Sequence, residues 1–284
     1  PGRLTLEEEI EREMTKEFSI DQMRRFIGQS SNSAGGLTGA TYQLLKYAPD
    51  AIVKKTFSLM NKMWTDGQHI PLFWKLKGLH GIPKTSSPEI KSVGDMRGIG
   101  LIEVTRKLWT RMVLARIKTV LERHHAIQKQ HCGGLRNRGT DSALLQTLNM
   151  IEAMQEDWDQ CSRNHDEDRE QHLDFLSWDT AKAFDSVGNH IQYIAWRRKG
   201  VPRDVAMWLI RLDLGGRFIP LSPYAGGKLS KVTMDMNNPT AHHDLLYQLG
   251  CAHQRGLTQG DVKSPLGWIL TFDILITALN QCTP

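Results

Sequence analysis

Apolar residues recur at intervals of three and four over several stretches of the chain, a spacing typical of amphipathic helices. Residues 4–28 show it twice, and Ser19 is suited to cap a second helix after a break, so two helices are predicted there. Further helices are predicted over residues 40–66, with a break near Pro49, and over residues 105–126, 140–154, 189–214 and 264–279. The helix over 105–126 is predicted to carry its Arg and Lys residues mostly away from its apolar side.

Three short stretches carry a strand pattern instead. Residues 72–82 and 99–104 are predicted to pair as a hairpin with basic flanks. Residues 173–178 are apolar and predict a strand that ends on Asp179. Many helices with few short strands predict an α+β fold that is helix-rich and has a small antiparallel sheet.

Composition limits the classes of protein to which the chain can belong. Its 284 residues and 40% hydrophobic content are typical of a globular protein with a sizeable core. No apolar run approaches the roughly 20 residues of a membrane span, so no membrane partner is expected. The four cysteines include no CxxC pair, which disfavours a zinc ribbon or a disulfide scaffold, and a reduced, intracellular protein is expected.

Charge is unevenly distributed along the chain, although the formal net charge is only +5. Residues 75–140 carry 14 Lys and Arg against 4 Asp and Glu, whereas residues 151–185 carry 3 against 11. Two solvated faces would explain this distribution. A track for a polyanion beside a carboxylate metal site would explain it as well, so the choice depends on the motifs.

Two carboxylates six residues apart mark the first motif, Asp179-Thr-Ala-Lys-Ala-Phe184-Asp185. A carboxylate at the end of a strand has a fixed backbone and an open side. Such a group suits Mg²⁺ bound by one or two carboxylates and substrate phosphates. The alternative from spacing alone is that Asp179 caps a turn and Asp185 is a surface charge.

A Gly-rich polar turn before the last predicted helix forms the second motif, Arg255-Gly-Leu-Thr-Gln259-Gly260-Asp261-Val-Lys-Ser264-Pro265. Ser264 suits the N-cap and Pro265 the first helical position. The turn lets the backbone approach a ligand, and Gln259 offers an amide to a base or a sugar. A helix start with no ligand is the alternative.

The third motif is basic and lies on the predicted hairpin, with Ile82-Pro83-Lys84 before a loop and Asp95-Met-Arg97-Gly98-Ile99 after it. Lys84 and Arg97 flank the hairpin and are suited to bind phosphates, Arg97 through a bidentate fork. The chain contains neither a Walker-type loop nor a GxGxxG turn.

In this order, the three motifs resemble the reverse transcriptase domain of non-LTR (LINE-like) retrotransposons. The family pattern has an Ile-Pro-Lys hairpin, an Arg-Pro-Ile-Ser-like strand, a Gln-x-Gly-Phe-Arg-like turn, an Asp-x-x-Lys-Ala-Phe-Asp strand and an Arg-Gly-x-x-Gln-Gly-Asp-x-x-Ser-Pro turn. The matching residues here are Ile82–Lys84, Arg97–Leu101, Gln130–Arg136, Asp179–Asp185 and Arg255–Pro265. The resemblance covers roughly residues 19–284 and implies the fingers and part of the palm of a right-hand polymerase.

The resemblance also implies roles for individual residues. Asp179 would be the catalytic carboxylate and would bind the Mg²⁺ ions of a two-metal site. Phe184 would lie beneath the sugar of the incoming nucleotide and exclude a 2′-hydroxyl. The remaining implied substrate contacts are the triphosphate for Lys84 and Arg97, and the nascent base pair and template for Gln259 and Gly260.

Nucleic acid is the partner that the resemblance implies, as an RNA template and a DNA primer extended with dNTPs, in the nucleus. The residues implied to contact its backbone are Arg106, Arg111, Arg116, Arg136, Arg138 and Arg255. The implied division of the chain is an N-terminal helical extension (1–70), fingers (71–154), a flexible polar insertion (155–172) and a partial palm without a thumb (173–284).

Departures from the family pattern lower the expected activity. Gly98 and Gly100 replace Pro and Ser, Leu135 replaces Phe, and the chain contains no Asp-Asp pair. Two-metal phosphoryl transfer needs carboxylates on both sides of ions about 3.5–4 Å apart. We therefore expect little or no polymerase activity from the chain as given, and the alternative is a degenerate, non-catalytic nucleic-acid-binding relic.

Overall fold

The computed structural model of the chain describes residues 4–67, 69–84, 92–135, 137–163, 179–221 and 250–282. The described helices are α1 (Leu6–Thr15), α2 (Ile20–Gln29), α3 (Tyr42–Tyr47), α4 (Asp50–Thr65), α5 (Leu72–Lys75), α6 (Val104–Arg123), α7 (Thr140–Arg163), α8 (Ala183–Ser186), α9 (Asn189–Arg198), α10 (Arg203–Arg211) and α11 (Ser264–Cys282). The described strands are β1 (Leu76–Pro83), β2 (Met96–Leu101), β3 (Arg217–Leu221) and β4 (Cys251–Ala252). The fold is mixed α+β and rich in helix, as the sequence predicts.

Reciprocal capping hydrogen bonds separate the first two helices, which confirms the predicted break. The Ser19 hydroxyl accepts from the backbone N–H of Gln22 at 3.2 Å, and the Gln22 side-chain oxygen accepts from the N–H of Ser19 at 3.2 Å. Thr5 and Glu8 form the same arrangement at the start of α1. Each pair satisfies backbone donors that the first turn of a helix leaves unpaired.

The sheet has the strand order β2-β1-β3-β4 and is mixed rather than antiparallel. β1 and β2 pair antiparallel with Ile82 opposite Arg97, so the predicted hairpin is confirmed. β1 and β3 pair parallel with Leu76 opposite Arg217, so the predicted antiparallel sheet is wrong. A parallel pair needs a long crossover, and here α6 to α10 lie between these two strands in the chain.

The first predicted strand begins later than its apolar residues suggest. Leu72–Lys75 forms one helical turn, because Pro71 precedes it and the carbonyl of Pro71 accepts from the N–H of Trp74 at 3.0 Å. The buried Trp74 ring then donates its Nε1–H to the Thr105 hydroxyl at 2.9 Å. The strand starts only at Leu76, where the chain joins the sheet.

Helix α7 is longer than predicted. It continues from Thr140 to Arg163, so residues 155–163 of the predicted flexible insertion are helical. The rest of that insertion and the predicted strand over 173–178 lie outside the described residues. Within the described ranges, no helix combines the length and the apolar character that crossing a membrane requires.

Helix α6 runs through the centre of the core. Leu108, Val113 and Ile117 are fully buried, and the Trp109 ring lies 4.8 Å from that of Phe18, centroid to centroid. Apolar neighbours surround the helix on most sides, so its predicted basic outer side is wrong at the N-terminal end, where two cationic side chains are buried.

Candidate active site

An open cleft of about 920 Å³ lies between the β1–β2 hairpin, the segment before α8 and the start of α11. Three parts of the chain contribute its walls, namely Lys84 with residues 94–99, residues 179–185 and residues 259–265. The cleft brings together all six residues that the sequence assigns to catalysis and substrate binding: Lys84, Arg97, Asp179, Phe184, Gln259 and Gly260.

Backbone hydrogen bonds join the second motif to the first. The N–H of Leu257 donates to the carbonyl of Phe184 at 2.7 Å, and that of Gly256 donates to the carbonyl of Val187 at 3.0 Å. Gly256 has φ +100°, and a Cβ there would lie 2.9 Å from the Asp185 Cα. Only glycine allows so close an approach with this backbone, so the two motifs form one unit.

A further backbone bond joins the hairpin to the same turn. The N–H of Gly100 donates to the carbonyl of Gln259 at 2.8 Å. Gly260 has φ +96°, and a Cβ there would lie 2.8 Å from the Gly100 carbonyl oxygen. A Cβ on Gly100 would collide with the Thr258 methyl group, so glycine rather than serine fits this position.

The cleft carries three cationic side chains. Lys84 donates from Nζ to the carbonyl of Gly94 at 2.8 Å, which holds it at the end of the hairpin. Arg97 is exposed on the neighbouring strand, opposite Ile82 in the register. Lys182 also lines the cleft, and the sequence prediction missed it although it lies inside the first motif. Its φ of +51° is unusual for a residue with a side chain and is typical of functional turns.

Three carboxylates line the same cleft. Asp179 and Asp185 are exposed, whereas Asp261 is buried and forms an ion pair with Arg106. Of the carboxylates that the structure describes in the cleft, Asp179 and Asp185 are therefore the ones free to approach a cation. Among the described residues, no group of three or more Asp, Glu, His or Cys side chains is arranged to hold a metal ion.

Stacked aromatic rings support Phe184 from behind. Its ring lies 5.7 Å from that of Trp268 with an interplanar angle of 27°, and Trp268 stacks on Phe272 at 5.6 Å and 24°. Trp268 and Phe272 are one turn apart on α11, so the helix presents both rings on one side. The position of Phe184 in the cleft thus depends on α11.

Beneath the cleft lies a buried charge cluster that the sequence prediction missed, formed by Lys77, Arg106, Asp213, Asp261 and Lys263 and called the Asp213 cluster below. Asp213 Oδ1 lies 2.5 Å from Lys77 Nζ and 2.8 Å from an Arg106 guanidinium nitrogen, and its Oδ2 lies 2.7 Å from Lys263 Nζ. Arg106 also pairs with Asp261 and donates to two backbone carbonyls. The one signal in the sequence was the presence of charged residues within apolar stretches.

Burial and mutual charge shift the pKa values of this cluster. Burial opposes ionisation of Asp213, but Lys263, Lys77 and Arg106 outweigh it and hold the pKa of Asp213 well below its ordinary value. Burial lowers the pKa of Lys77 to about 8. Burial and the nearby Lys77 lower the pKa of His253 to about 4, and the neutral His253 Nδ1 lies 2.9 Å from Lys77 Nζ.

The three arginines of α6 that were expected to contact nucleic acid donate hydrogen bonds within the protein. Arg106 is 0% exposed and both of its terminal nitrogens are paired in the core, so its guanidinium does not reach the surface where the predicted nucleic-acid contact would be made. Arg111 is partly buried and donates to the Ser30 hydroxyl at 2.8 Å. Arg116 donates to three backbone carbonyls at the α1–α2 junction and lies 3.6 Å from the Phe18 ring centroid. These arginines hold the core together because a guanidinium satisfies several carbonyls at once.

The other implied nucleic-acid contacts lie elsewhere. Arg138 donates to the carbonyls of Gln128 and His131 at 2.9 and 3.1 Å and thereby closes the loop before α7. Arg255 is exposed at the start of the second motif. Arg136 lies outside the described residues.

Comparison with protein-family models and with curated proteins finds no match to this chain.

Proposed function

We propose that the chain carries the fingers and part of the palm of an RNA-directed DNA polymerase, the reverse transcriptase domain of a non-LTR retroelement. Its partners are then an RNA template, a DNA primer and dNTPs. The observation that supports this proposal is the meeting of the three motifs in one cleft, joined to each other by backbone hydrogen bonds at Gly100 and Leu257. The side chains to which the resemblance assigns catalysis and substrate binding line the same space.

Different residues of the cleft would contact the triphosphate, the sugar and the base pair. Lys84, Arg97 and Lys182 present positive charge to a triphosphate, and Arg97 can grip it through a bidentate fork. Phe184, whose ring stacks on Trp268, would lie beneath the sugar and exclude a 2′-hydroxyl, as the resemblance implies. The peptide Gln259–Gly260 forms the wall that faces the base pair.

Mg²⁺ would be held by Asp179, with Asp185 beside it on the same wall of the cleft. Both are exposed carboxylates, the ligands that Mg²⁺ prefers when it also binds phosphates. When bound, the metal would neutralise phosphate charge and polarise the reacting phosphoryl group. Since Asp261 is engaged with Arg106, these two carboxylates are the ones that the described cleft offers, and we propose that turnover is slow.

A non-catalytic nucleic-acid-binding relic is the second candidate. The commitment of Asp261 to a buried ion pair favours it, because that carboxylate cannot serve a second metal ion. Both candidates share binding of a template–primer in the cleft and differ only in nucleotide addition.

The test uses a fluorescein-labelled hybrid of a DNA primer on a longer RNA template. Its anisotropy measures binding, and gel analysis with Mg²⁺ and dNTPs measures extension. Binding is expected to weaken steeply with salt and to fall several-fold in the double variant Lys84→Met/Arg97→Met. The matched control Lys54→Met/Lys55→Met removes two exposed lysines of α4 that do not line the cleft, and it is expected to bind as the parent chain does.

The extension result separates the two candidates. Nucleotide addition that Asp179→Asn abolishes, while the exposed control Asp21→Asn leaves it intact, supports the polymerase. Binding without any addition supports the relic. Equal hybrid affinity in the cleft double variant and in the α4 control would contradict both.

A further inference from the structure

The turn that carries Gln259 and Gly260 is anchored on both sides of these two residues. Before them, the Thr258 hydroxyl accepts a hydrogen bond from Lys77 Nζ at 2.8 Å. After them, Asp261 forms its ion pair with Arg106. Thr258 and Asp261 are 4% and 3% exposed, so both anchors are largely shielded from water, and the peptide between them lines the cleft.

Asp213 holds the two anchoring cations in place although it belongs to neither the turn nor the cleft wall. It follows α10 and contacts Lys77 at 2.5 Å and Arg106 at 2.8 Å. It also contacts Lys263, which follows the turn, at 2.7 Å. Three buried cations thus share one carboxylate, and loss of its charge would leave them with Asp261 as their one remaining partner in the cluster.

Strand β2 and the buried cations contact the turn at different residues. Gly100 holds the carbonyl of Gln259 from the sheet, while the cations hold the residues on either side from below. The Gln259–Gly260 peptide is short, so a shift of either anchor must move it relative to Lys84 and Arg97 across the cleft.

We propose that Asp213 is a positioning residue that sets the place of Gln259 and Gly260 in the cleft through Lys77 and Arg106. The affinity of the cleft for nucleic acid then depends on a carboxylate that never touches the ligand. The ligand part of this inference rests on the proposed function, whereas the positioning part stands on the geometry alone.

A second buried aspartate provides a matched control. Asp273 on α11 is 0% exposed and pairs with Arg198 at 2.7 Å and Lys199 at 2.6 Å, and its Oδ1 accepts from the N–H of Gln128 at 2.9 Å. It does not line the cleft. Asp213→Asn and Asp273→Asn therefore each remove one buried charge from between cations, but only the first touches the turn's anchors.

Hydrogen exchange measured by mass spectrometry reports the turn directly, without any ligand. In Asp213→Asn, the amides of Gly100 and Asp261 are expected to exchange at least tenfold faster relative to the core of α6. Asp273→Asn is expected to leave that ratio unchanged while lowering the midpoint of unfolding. Thr258→Val removes only the hydroxyl that Lys77 anchors, so it tests the same point if Asp213→Asn fails to fold.

Anisotropy of the template–primer hybrid then tests the link to the cleft. Asp213→Asn or Thr258→Val is expected to weaken hybrid binding at least threefold under conditions where each variant is fully folded, and Asp273→Asn is not. Unchanged exchange at Gly100 and Asp261 in both turn variants overturns the positioning role. Faster exchange in a chain whose parent form binds no hybrid supports positioning and instead overturns the proposed function.

Discussion

The backbone N–H of Gly100 donates to the carbonyl oxygen of Gln259 at 2.8 Å, and this bond joins the hairpin of the cleft to the turn that forms another of its walls. More than 150 residues separate the two in the chain. The contact is possible because neither Gly100 nor Gly260 has a side chain at the point of closest approach. The shape of the cleft therefore depends on backbone positions as much as on charged side chains.

Substitution of Gly260 tests whether the fold depends on the close approach of its backbone to Gly100. Gly260→Ala is expected to destabilise the fold by about 2 kcal/mol or more, because its φ of +96° strains any side chain and its Cβ would press on the Gly100 carbonyl. Gly39→Ala is the control, since Gly39 has φ +71° but open space around its Cβ. Urea unfolding measures both, and an equal loss in the two variants would contradict the steric part of this account.

Substitution of the buried Arg106 is expected to affect stability most, whereas substitution of the exposed Arg97 is expected to affect binding with little effect on stability. Arg106→Met removes a cation that two buried carboxylates share, and the expected loss in unfolding free energy is about 3–5 kcal/mol. Arg97→Met alters an exposed cleft residue and is expected to change stability by less than about 0.5 kcal/mol.

In the salt dependence of hybrid binding, Arg97→Met is the variant expected to lose a direct phosphate contact. Arg97→Met is expected to reduce the slope of log affinity against log salt by about one, as for the loss of one phosphate contact. Thermal unfolding and a salt titration of hybrid binding measure the two effects. An Arg106→Met protein as stable as the parent would contradict the structural role of Arg106. An unchanged salt slope in Arg97→Met would contradict a phosphate contact by Arg97.

Acid is expected to destabilise the chain through His253. Its pKa is about 4 in the folded protein and near 6.5 in the unfolded chain, so between these values the unfolded state binds more protons. The stabilisation is present above pH 6.5 and is lost as the pH falls towards 4, by on the order of 3 kcal/mol. Asp213 adds its own loss only at still lower pH, because its pKa lies well below the ordinary range.

His253→Asn isolates this contribution, since the Asn oxygen can replace Nδ1 as the acceptor for Lys77 but does not titrate. The variant is expected to lose most of the pH dependence between pH 6.5 and 4, measured by urea unfolding at several pH values. His131, whose pKa is also lowered by burial, contributes equally in both proteins. A variant with the parent slope would place the proton uptake elsewhere.

Sequence patterns predicted the features that depend on contacts between residues close together in the chain. Ser19 caps its helix through neighbours three residues away, and the hairpin pairs strands that lie close in the chain. The residues of the cleft were also named in advance, because the motifs resemble a known family and the residues that the resemblance implies lie together in the fold.

Long-range contacts could not be predicted in the same way. A positive residue in an amphipathic pattern looks exposed, and nothing near Arg106 in the sequence reveals that Asp213, 107 positions later, compensates its burial. The parallel pairing of β1 with β3 depends on the crossover through α6 to α10, which no strand pattern records. Sequence periodicity reports which faces are apolar, and not which charges are paired inside.

The central claim is that template and primer occupy the cleft formed by the three motifs. Photo-crosslinking tests it directly, with 4-thiouridine placed in the RNA template opposite the next nucleotide to be added and the crosslinked peptides identified by mass spectrometry. Crosslinks are expected in the peptides that contain Phe184 or Gln259, and these crosslinks are expected to be lost in Lys84→Met/Arg97→Met. Saturable binding with crosslinks confined to other surfaces, such as α4 or α7, would contradict it.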